Sequence, residues 1–550
     1  MQYSHIALCN AASEDAAAKI LMRRIDERCP ITWNARRDMG LSIELARDPG
    51  IGNEGFAITD TAGSAIRIAG ADTINLLAGI GHFLRDASYD LEGFRPGLWR
   101  GISRPQKELR GIYFATHFHN YYHDAPEPAV ERYIEDLALW GFNVLTVWYD
   151  MHHYHGIADP KARAMIQRLH GTLAAARRVG MRTCMGVLAN EAYADSPVEL
   201  RADPNTSRGH YRRELCPSKP GASELILRWF DEEFRAFADI QPDYLWIWPY
   251  DQGGCACEQC RPWGANGFLK IARRIAALFK QYSPQGRIIL STWLFDYVPG
   301  GEWEGLARQI DQDRLWIDYI LADAHELKFP PYLLAHGVPG GLPLVNFPEI
   351  SMYGMTPWGG FGANPQPAAL QRLWDAAGRM IVGGFPYSEG IFEDFNKAIM
   401  ARFYWDGQSA EATARDYIGY EFGPESANDV LKAIRILEVN QPRVWKEGDY
   451  ARPVTQLENM QDHGAAEALA LMSAVDARLP LHIRSGWRWR IMLLRALIDD
   501  ELFRNRGVPT PTLEPWFKEL VRIYHAQHAD YVVHPPTAFE RQRVLTPDQS

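Results

Sequence analysis

The sequence predicts an α/β protein built on a (β/α)8 TIM barrel, with an α+β domain before the barrel and an α-helical domain after it. Three observations predict this. Eight short apolar runs between residues 108 and 406 have the composition of strands buried on both faces. Amphipathic segments such as AVERYIEDLALWG and ANGFLKIARRIAALFKQY separate most of them. Each run ends in polar or ionisable residues, as parallel barrels require, because their working groups stand at the C-terminal strand ends while the interior is packed solid.

Residues 1–107 read as the α+β unit. AASEDAAAKILMRRIDER carries a helical period, LSIELARD is a short strand, and GFAITDTAGSAIRIAG is a hairpin turning at Thr61 to Gly63. ADTINLLAGIGHFLRDASY is a helix, and GFRPGLWRGISRPQKE reads as a Gly/Pro-containing connection into the barrel. No GxGxxG or GxxxxGK loop occurs in it, so the usual phosphate cradle is missing.

The barrel, residues 108–406, opens with LRGIYFATHFHN, followed by FNVLTVWYDMHH, MRTCMGVLANEAY, PDYLWIWPYDQ, RIILSTWLFD, RLWIDYILADAHE, LPLVNFPEIS and RMIVGGFPYSEG. These runs end on His117 and His119, Asp150 and His152, Glu191, Asp251, Asp296, Asp323 and His325, Glu349, and Glu389. The fourth stops at Pro249 and delivers Asp251 into a Gly-Gly turn, a placement that suits a catalytic carboxylate as well as a turn residue bonded to its own backbone. Residues 407–550 are helical almost throughout, in SAEATARDYIGYEFG, ANDVLKAIRILEVN, AAEALALMSAVDARL and SGWRWRIMLLRALIDDELFRNRG, with Gly or Asn as stop signals.

Composition narrows the function classes. The chain has 550 residues, too many for one core, so two or three domains are expected. A net charge of −10, with its basic residues scattered, argues against nucleic acid as a partner. No apolar run is long enough to cross a bilayer, and no signal-like segment opens the chain, so a soluble cytoplasmic protein with no membrane partner is expected; a homodimer stays open. Of seven cysteines, Cys255, Cys257 and Cys260 crowd into GCACEQC, and Cys216 in ELCPSKP precedes the same strand. That spacing suits a structural zinc and equally a set of reduced thiols in a tight loop.

The α+β segment "GFAI…G…IRIAGADTINLLAGIGHFLRD" followed by LRGIYF resembles the accessory domain that precedes the barrel in hexosaminidases and bacterial α-glucuronidases. The order of α+β domain, barrel and helical domain is similar to the α-glucuronidases of glycoside hydrolase family sixty-seven. The resemblance implies a glycosidase, exo-acting, that needs no cofactor for its chemistry and takes an oligosaccharide or glycoside as substrate. It implies Asp251 as general acid, although that family uses Glu there, and Glu349 as base or nucleophile with Asp323 assisting. Where hexosaminidases end the fourth strand in Asp-Glu, this chain has Asp251-Gln252, and a neutral amide cannot deliver the proton; the acetamido-assisted route is disfavoured.

Such a reaction needs one carboxylic acid to protonate the leaving oxygen and one carboxylate to activate water or attack the anomeric carbon. The remaining mouth residues suit a sugar pocket. Trp148, Tyr149, Trp293, Trp358 and Tyr387 offer flat apolar faces, and His117, His119, Asn120, Asp150, Asn190, Glu191 and Glu389 offer hydrogen bonds to hydroxyls. Two alternatives accompany this reading. One is a metal-dependent amidohydrolase-like enzyme using His117, His119, Asp251, His325 and Glu389; the other is a non-catalytic carbohydrate-binding protein on a degenerate hydrolase barrel.

Overall fold

The computed structural model describes residues 2–9, 15–34, 40–52, 54–61, 65–90, 92–117, 120–204, 212–250, 253–296, 301–313, 315–324, 327–350, 363–440, 461–506 and 510–525. Its first layer is a six-stranded mixed sheet. The strands are β1 (His5–Cys9), β2 (Thr32–Asn34), β3 (Leu41–Arg47), β4 (Phe56–Thr61) and β5 (Ala65–Gly70), joined by β8 (Gly101–Ser103) in the order β2-β1-β3-β5-β4-β8. β4 and β5 form the expected antiparallel hairpin, Phe56 opposite Gly70 and Thr61 opposite Ala65. The helix Thr73–Asp86, capped by the Asp72 side chain on the Asn75 amide, lays Leu76, Leu77, Ile80, Phe83 and Leu84 into this core.

The Gly/Pro-rich connection is more ordered than the sequence predicts. β6 (Ser88–Asp90) pairs with β7 (Gly93–Arg95), and β8 extends the sheet by pairing antiparallel with β4. Trp99 supplies the reason: its ring lies 4.4 Å from His82 and 5.8 Å from Phe56, so burial of the indole draws the connection onto the sheet.

The barrel strands are β9 (Leu109–Phe114), β10 (Val144–Trp148), β11 (Arg182–Leu188), β12 (Tyr244–Trp248), β13 (Arg287–Ser291), β14 (Tyr319–Ala324), β15 (Leu344–Pro348) and β16 (Ile381–Gly384), with β17 (Tyr387–Ser388) continuing the last run alongside β9. Every neighbouring pair is parallel, and β9 pairs with both β10 and β16, which closes the cylinder. The predicted α/β barrel with its flanking α+β and helical parts is the observed fold. Strands β9, β10, β12 and β15 are buried at nearly every position because helices cover their outer faces. Gly267–Tyr282 shows how: Phe268, Ile271, Ala272, Ile275, Ala276 and Phe279 repeat at helical spacing and all face inward.

After Asp406 the helices Ala410–Phe422, Ala427–Val439, Ala465–Arg478 and Trp487–Arg504 follow. Trp489 is completely buried and donates to Asp476, so it belongs to the helical core. Among the described residues no helix is long and apolar enough to cross a membrane.

Candidate active site

The aromatic residues of the strands plug the barrel just beneath its mouth. Trp246 and Trp248, two residues apart on β12 and therefore on one face, stack at 4.7 Å. Around Trp248 stand Trp148 at 5.3 Å, Phe347 at 5.2 Å, Trp293 at 5.6 Å and Tyr113 at 5.8 Å, and Tyr387 closes the ring against Tyr113 and Phe347 at 5.9 Å each. Rings from β9, β10, β12, β15 and β17, with Trp293 just past β13, thus make a floor, the layered filling expected of a closed barrel.

Carboxylates sit around this floor. Asp150, Glu191, Asp323, Glu349 and Glu389 come from the ends of five different strands, and none is more than 3% exposed. Burial of an ionisable group costs several kcal/mol unless it is matched by partners, so five carboxyl groups gathered at one end of a barrel call for a dense set of partners there. Tyr387 Oη donates to Glu389 Oε1 at 2.7 Å, and Trp148 Nε1 donates to Glu191 Oε2 at 3.1 Å. His153 Nε2 lies 3.0 Å from Asp150 Oδ2, and His152 Nδ1 lies 3.5 Å from Glu191 Oε1. His117 shares a 2.6 Å hydrogen bond through Nδ1 with Tyr113 Oη and packs 4.9 Å from Trp148.

The electrostatics follow from this enclosure. Burial, reinforced by nearby Asp150, pushes the Glu191 carboxyl well above the ordinary carboxylate range. Burial also raises Asp150, partly opposed by His153. For His153 burial would favour the neutral ring, but Asp150 outweighs it and the pKa rises. Burial, with His153 and His117 adding to it, drives His152 far below the usual imidazole value. The mouth therefore favours the protonated form of the Glu191 carboxyl and the uncharged form of the His152 ring, with the Asp150–His153 pair beside both. Such a set can donate protons and hydrogen bonds to a polar ligand.

Not every sequence-predicted residue joins this ring. Trp148, Trp293 and Tyr387 do, whereas Tyr149 stacks flat on Tyr154, with centroids 5.4 Å apart and planes 3° apart. Asn120 caps the short helix Tyr121–Asp124, its Oδ1 accepting from the Tyr122 amide and its Nδ2 donating to Ala115 O. Asn190 is a loop strut: Nδ2 donates to Leu215 O and Gly254 O, and Oδ1 accepts from the Gly254 amide. Cys216, Cys255, Cys257 and Cys260 converge beside the exits of β11 and β12, all four sulfurs within 4.8 Å of one another. Asp251, Gln252, His119, His325 and Trp358 lie outside the described residues. Three members of the metal-dependent alternative, His119, Asp251 and His325, fall there.

Sequence reasoning overlooked Tyr113, Trp248 and Phe347 in the floor, His153, and Glu233. Glu233 is fully buried on the helix Ala222–Ala236, and burial, with Glu191 and Asp150 nearby, raises its pKa strongly. A signal existed: Glu233 falls on the stripe of Ile226, Phe230 and Phe234, where an acid has no place on an ordinary amphipathic helix.

No family model matches the chain, and no curated protein matches it either. Solved structures do. A family 89 glycoside hydrolase from Clostridium perfringens, in complex with its substrate GlcNAc-alpha-1,4-galactose, superposes with a TM-score of 0.60 at 12% identity over 88% of this chain. This chain spans 62% of that enzyme's length. A family GH115 4-O-methyl-alpha-glucuronidase with specificity for decorated arabinogalactans gives 0.62 at 11% identity, covering 98% of this chain and 78% of that one. A GH138 enzyme targeting pectin rhamnogalacturonan II gives 0.57 at 11%, covering 94% and 72%. Closed parallel strand order and these likenesses together show that the chain shares the barrel fold of these glycoside hydrolases.

Proposed function

We propose that the protein is a glycosidase, hydrolysing an O-glycosyl bond with a pair of carboxyl groups at the barrel mouth. The observation that carries this reading is the ring of buried carboxylates, Asp150, Glu191, Asp323, Glu349 and Glu389, set around an aromatic floor. Aromatic faces suit the C–H faces of a pyranose, and the carboxylates suit both its hydroxyls and the two proton transfers that glycoside cleavage needs. Exo action is favoured by the depth of the site, since groups so enclosed fit a pocket for one terminal sugar better than an open groove. In this reading Asp251 is the general acid, Glu349 the base or nucleophile, and Asp323 its assistant. Glu191, Asp150, His117 and Glu389 grip the substrate. The chemistry requires no cofactor.

A panel of aryl glycosides tests the reading, with α-N-acetylglucosaminide and α-glucuronide included because the structural neighbours act on such linkages. Turnover of at least one substrate is expected, abolished in Glu349→Ala. Asp251→Asn should lose roughly 10²–10⁴-fold on substrates with poor leaving groups and much less on nitrophenyl glycosides, which need little protonation. Equal losses on good and poor leaving groups would remove Asp251 from the acid role. Sugar binding without turnover across the panel would make the protein a carbohydrate binder.

A further inference from the structure

Cys216 lies just ahead of the helix Ala222–Ala236, and Cys255, Cys257 and Cys260 belong to the turn that follows β12. Cys216 Sγ is 3.7 Å from Cys257 Sγ and 3.8 Å from Cys260 Sγ. Disulfide sulfurs are bonded at about 2.0 Å, so these are not disulfides. Four ligands at about 2.3 Å from one tetrahedral centre stand about 3.8 Å from each other, which is the separation seen. Three of the four residues are buried and Cys257 is partly exposed, an arrangement that encloses the centre and leaves a path of entry.

We propose that Cys216, Cys255, Cys257 and Cys260 bind one structural zinc ion as a tetrathiolate. Soft sulfur donors in a tetrahedral set select zinc over the hard cations, and four protein ligands leave no position for a water or substrate. Groups around the sulfurs support the ligand charge. Ser218 Oγ lies 3.1 Å from Cys260 Sγ, the Ser218 amide supports Cys216, and the amide of Cys257 supports Cys255.

The ion's place in the fold gives it a task. Leu215 donates its amide to Asn190 O, Cys216 donates to Leu200 O, and Ala256 donates to Asp203 O. Asn190, next to Glu191, clasps both Leu215 and Gly254. The metal thus locks the segment returning from β11 to the turn leaving β12, and holds the backbone on either side of the mouth. It is a positioning element. The site itself is independent of the glycosidase reading; only its effect on turnover rests on that reading.

Metal content and cobalt spectroscopy of the full chain test the proposal. Native mass spectrometry should find about one zinc per chain. Replacement by cobalt(II) should give the d–d bands of a tetrahedral ion together with intense thiolate-to-cobalt charge transfer. Zinc removal by chelation should lower the melting temperature and raise amide exchange in residues 190–204 and 253–260. Cys257→Ser should weaken cobalt binding at least tenfold, whereas Cys9→Ser should leave it unchanged. If the cysteine variant fails to fold, the cobalt spectrum of the native chain decides alone. Folded protein from zinc-supplemented medium that carries no zinc, or cobalt bound without thiolate charge transfer, overturns the site. Unchanged amide exchange after complete zinc removal overturns the positioning role.

Discussion

A carboxyl group such as that of Glu191, enclosed at the barrel mouth with the Trp148 indole and the His152 ring near its oxygens, is raised by burial and so binds its proton more tightly folded than unfolded. The native state then holds protons that the unfolded chain has released, so stability is full below the ordinary carboxyl pKa and falls as pH rises from there towards the raised folded value. Asp150 and Glu233 add to the same slope, both raised chiefly by burial. Glu191→Gln should flatten the loss of stability above about pH 4.5, measured as urea midpoints against pH, while lowering turnover on any substrate the wild type cleaves. A variant as pH-sensitive as the wild type would show that Glu191 ionises normally. At this scale the sequence was only partly legible. Acids just past an apolar run, such as Glu349 and Glu389, announce themselves because a strand has just ended. What an acid touches does not, because Glu191 meets His152 from another strand's loop and Glu233 approaches from a helix.

Elements rather than single residues set the mouth's shape. β11 and β12 release their chains side by side, and Asn190 satisfies three backbone groups of the two following loops. Its replacement strands those groups in a buried place, at about 1–3 kcal/mol for each group left without a partner. Asn190→Leu should therefore lower the melting temperature and reduce turnover more than substrate affinity, since the loops would hold their groups less closely. Normal turnover with lowered stability would confine Asn190 to a structural part. The strands themselves could be read from sequence with little error, because a run such as YLWIW allows few alternatives when helices flank it. β8 could not, for it pairs with β4, well before it in the chain, across the helix on which Trp99 packs.

Across the whole molecule a buried ion cluster ties the three parts together. Arg488, from the C-terminal helices, lies 2.8 Å from Asp136 on the barrel helix Glu127–Trp140 and 2.8 Å from Asp394. Arg24, from the N-terminal helix Ala16–Asp26, reaches Glu421 at 3.2 Å and Asp136 at 3.7 Å, and Arg28 reaches Glu421 at 2.9 Å. Burial alone would raise the Asp136 carboxyl, but Arg24, Arg488 and Arg23 hold it well below the usual range. That contribution is present above the ordinary carboxyl pKa and is lost as pH falls. Arg488→Met should cost about 3–5 kcal/mol by leaving Asp136, Asp394 and Glu421 short of charge, and should shift acid unfolding to higher pH. A denaturation midpoint within error of the wild type would show that the neighbouring arginines suffice. None of these ion partners is adjacent in sequence, so the cluster was invisible there, although the three-part order itself was not.

The glycine seam of the barrel has a bearing on how the chain is made. At Gly383, with φ of 155°, a β-carbon would stand 1.8 Å from the Leu109 carbonyl oxygen, and at Gly111 one would stand 2.2 Å from the Phe385 ring. The first and last strands dock only because these side chains are missing, and the joining pairs are Gly383 with Leu109 and Gly384 with Arg110. During synthesis the N-terminal strand β9 therefore waits with one edge unsatisfied until nearly the whole barrel has emerged from the ribosome. A nascent chain in that state is an open sheet offering backbone donors and acceptors to any neighbour, so yield is expected to rise with dilution and with chaperone cover during translation.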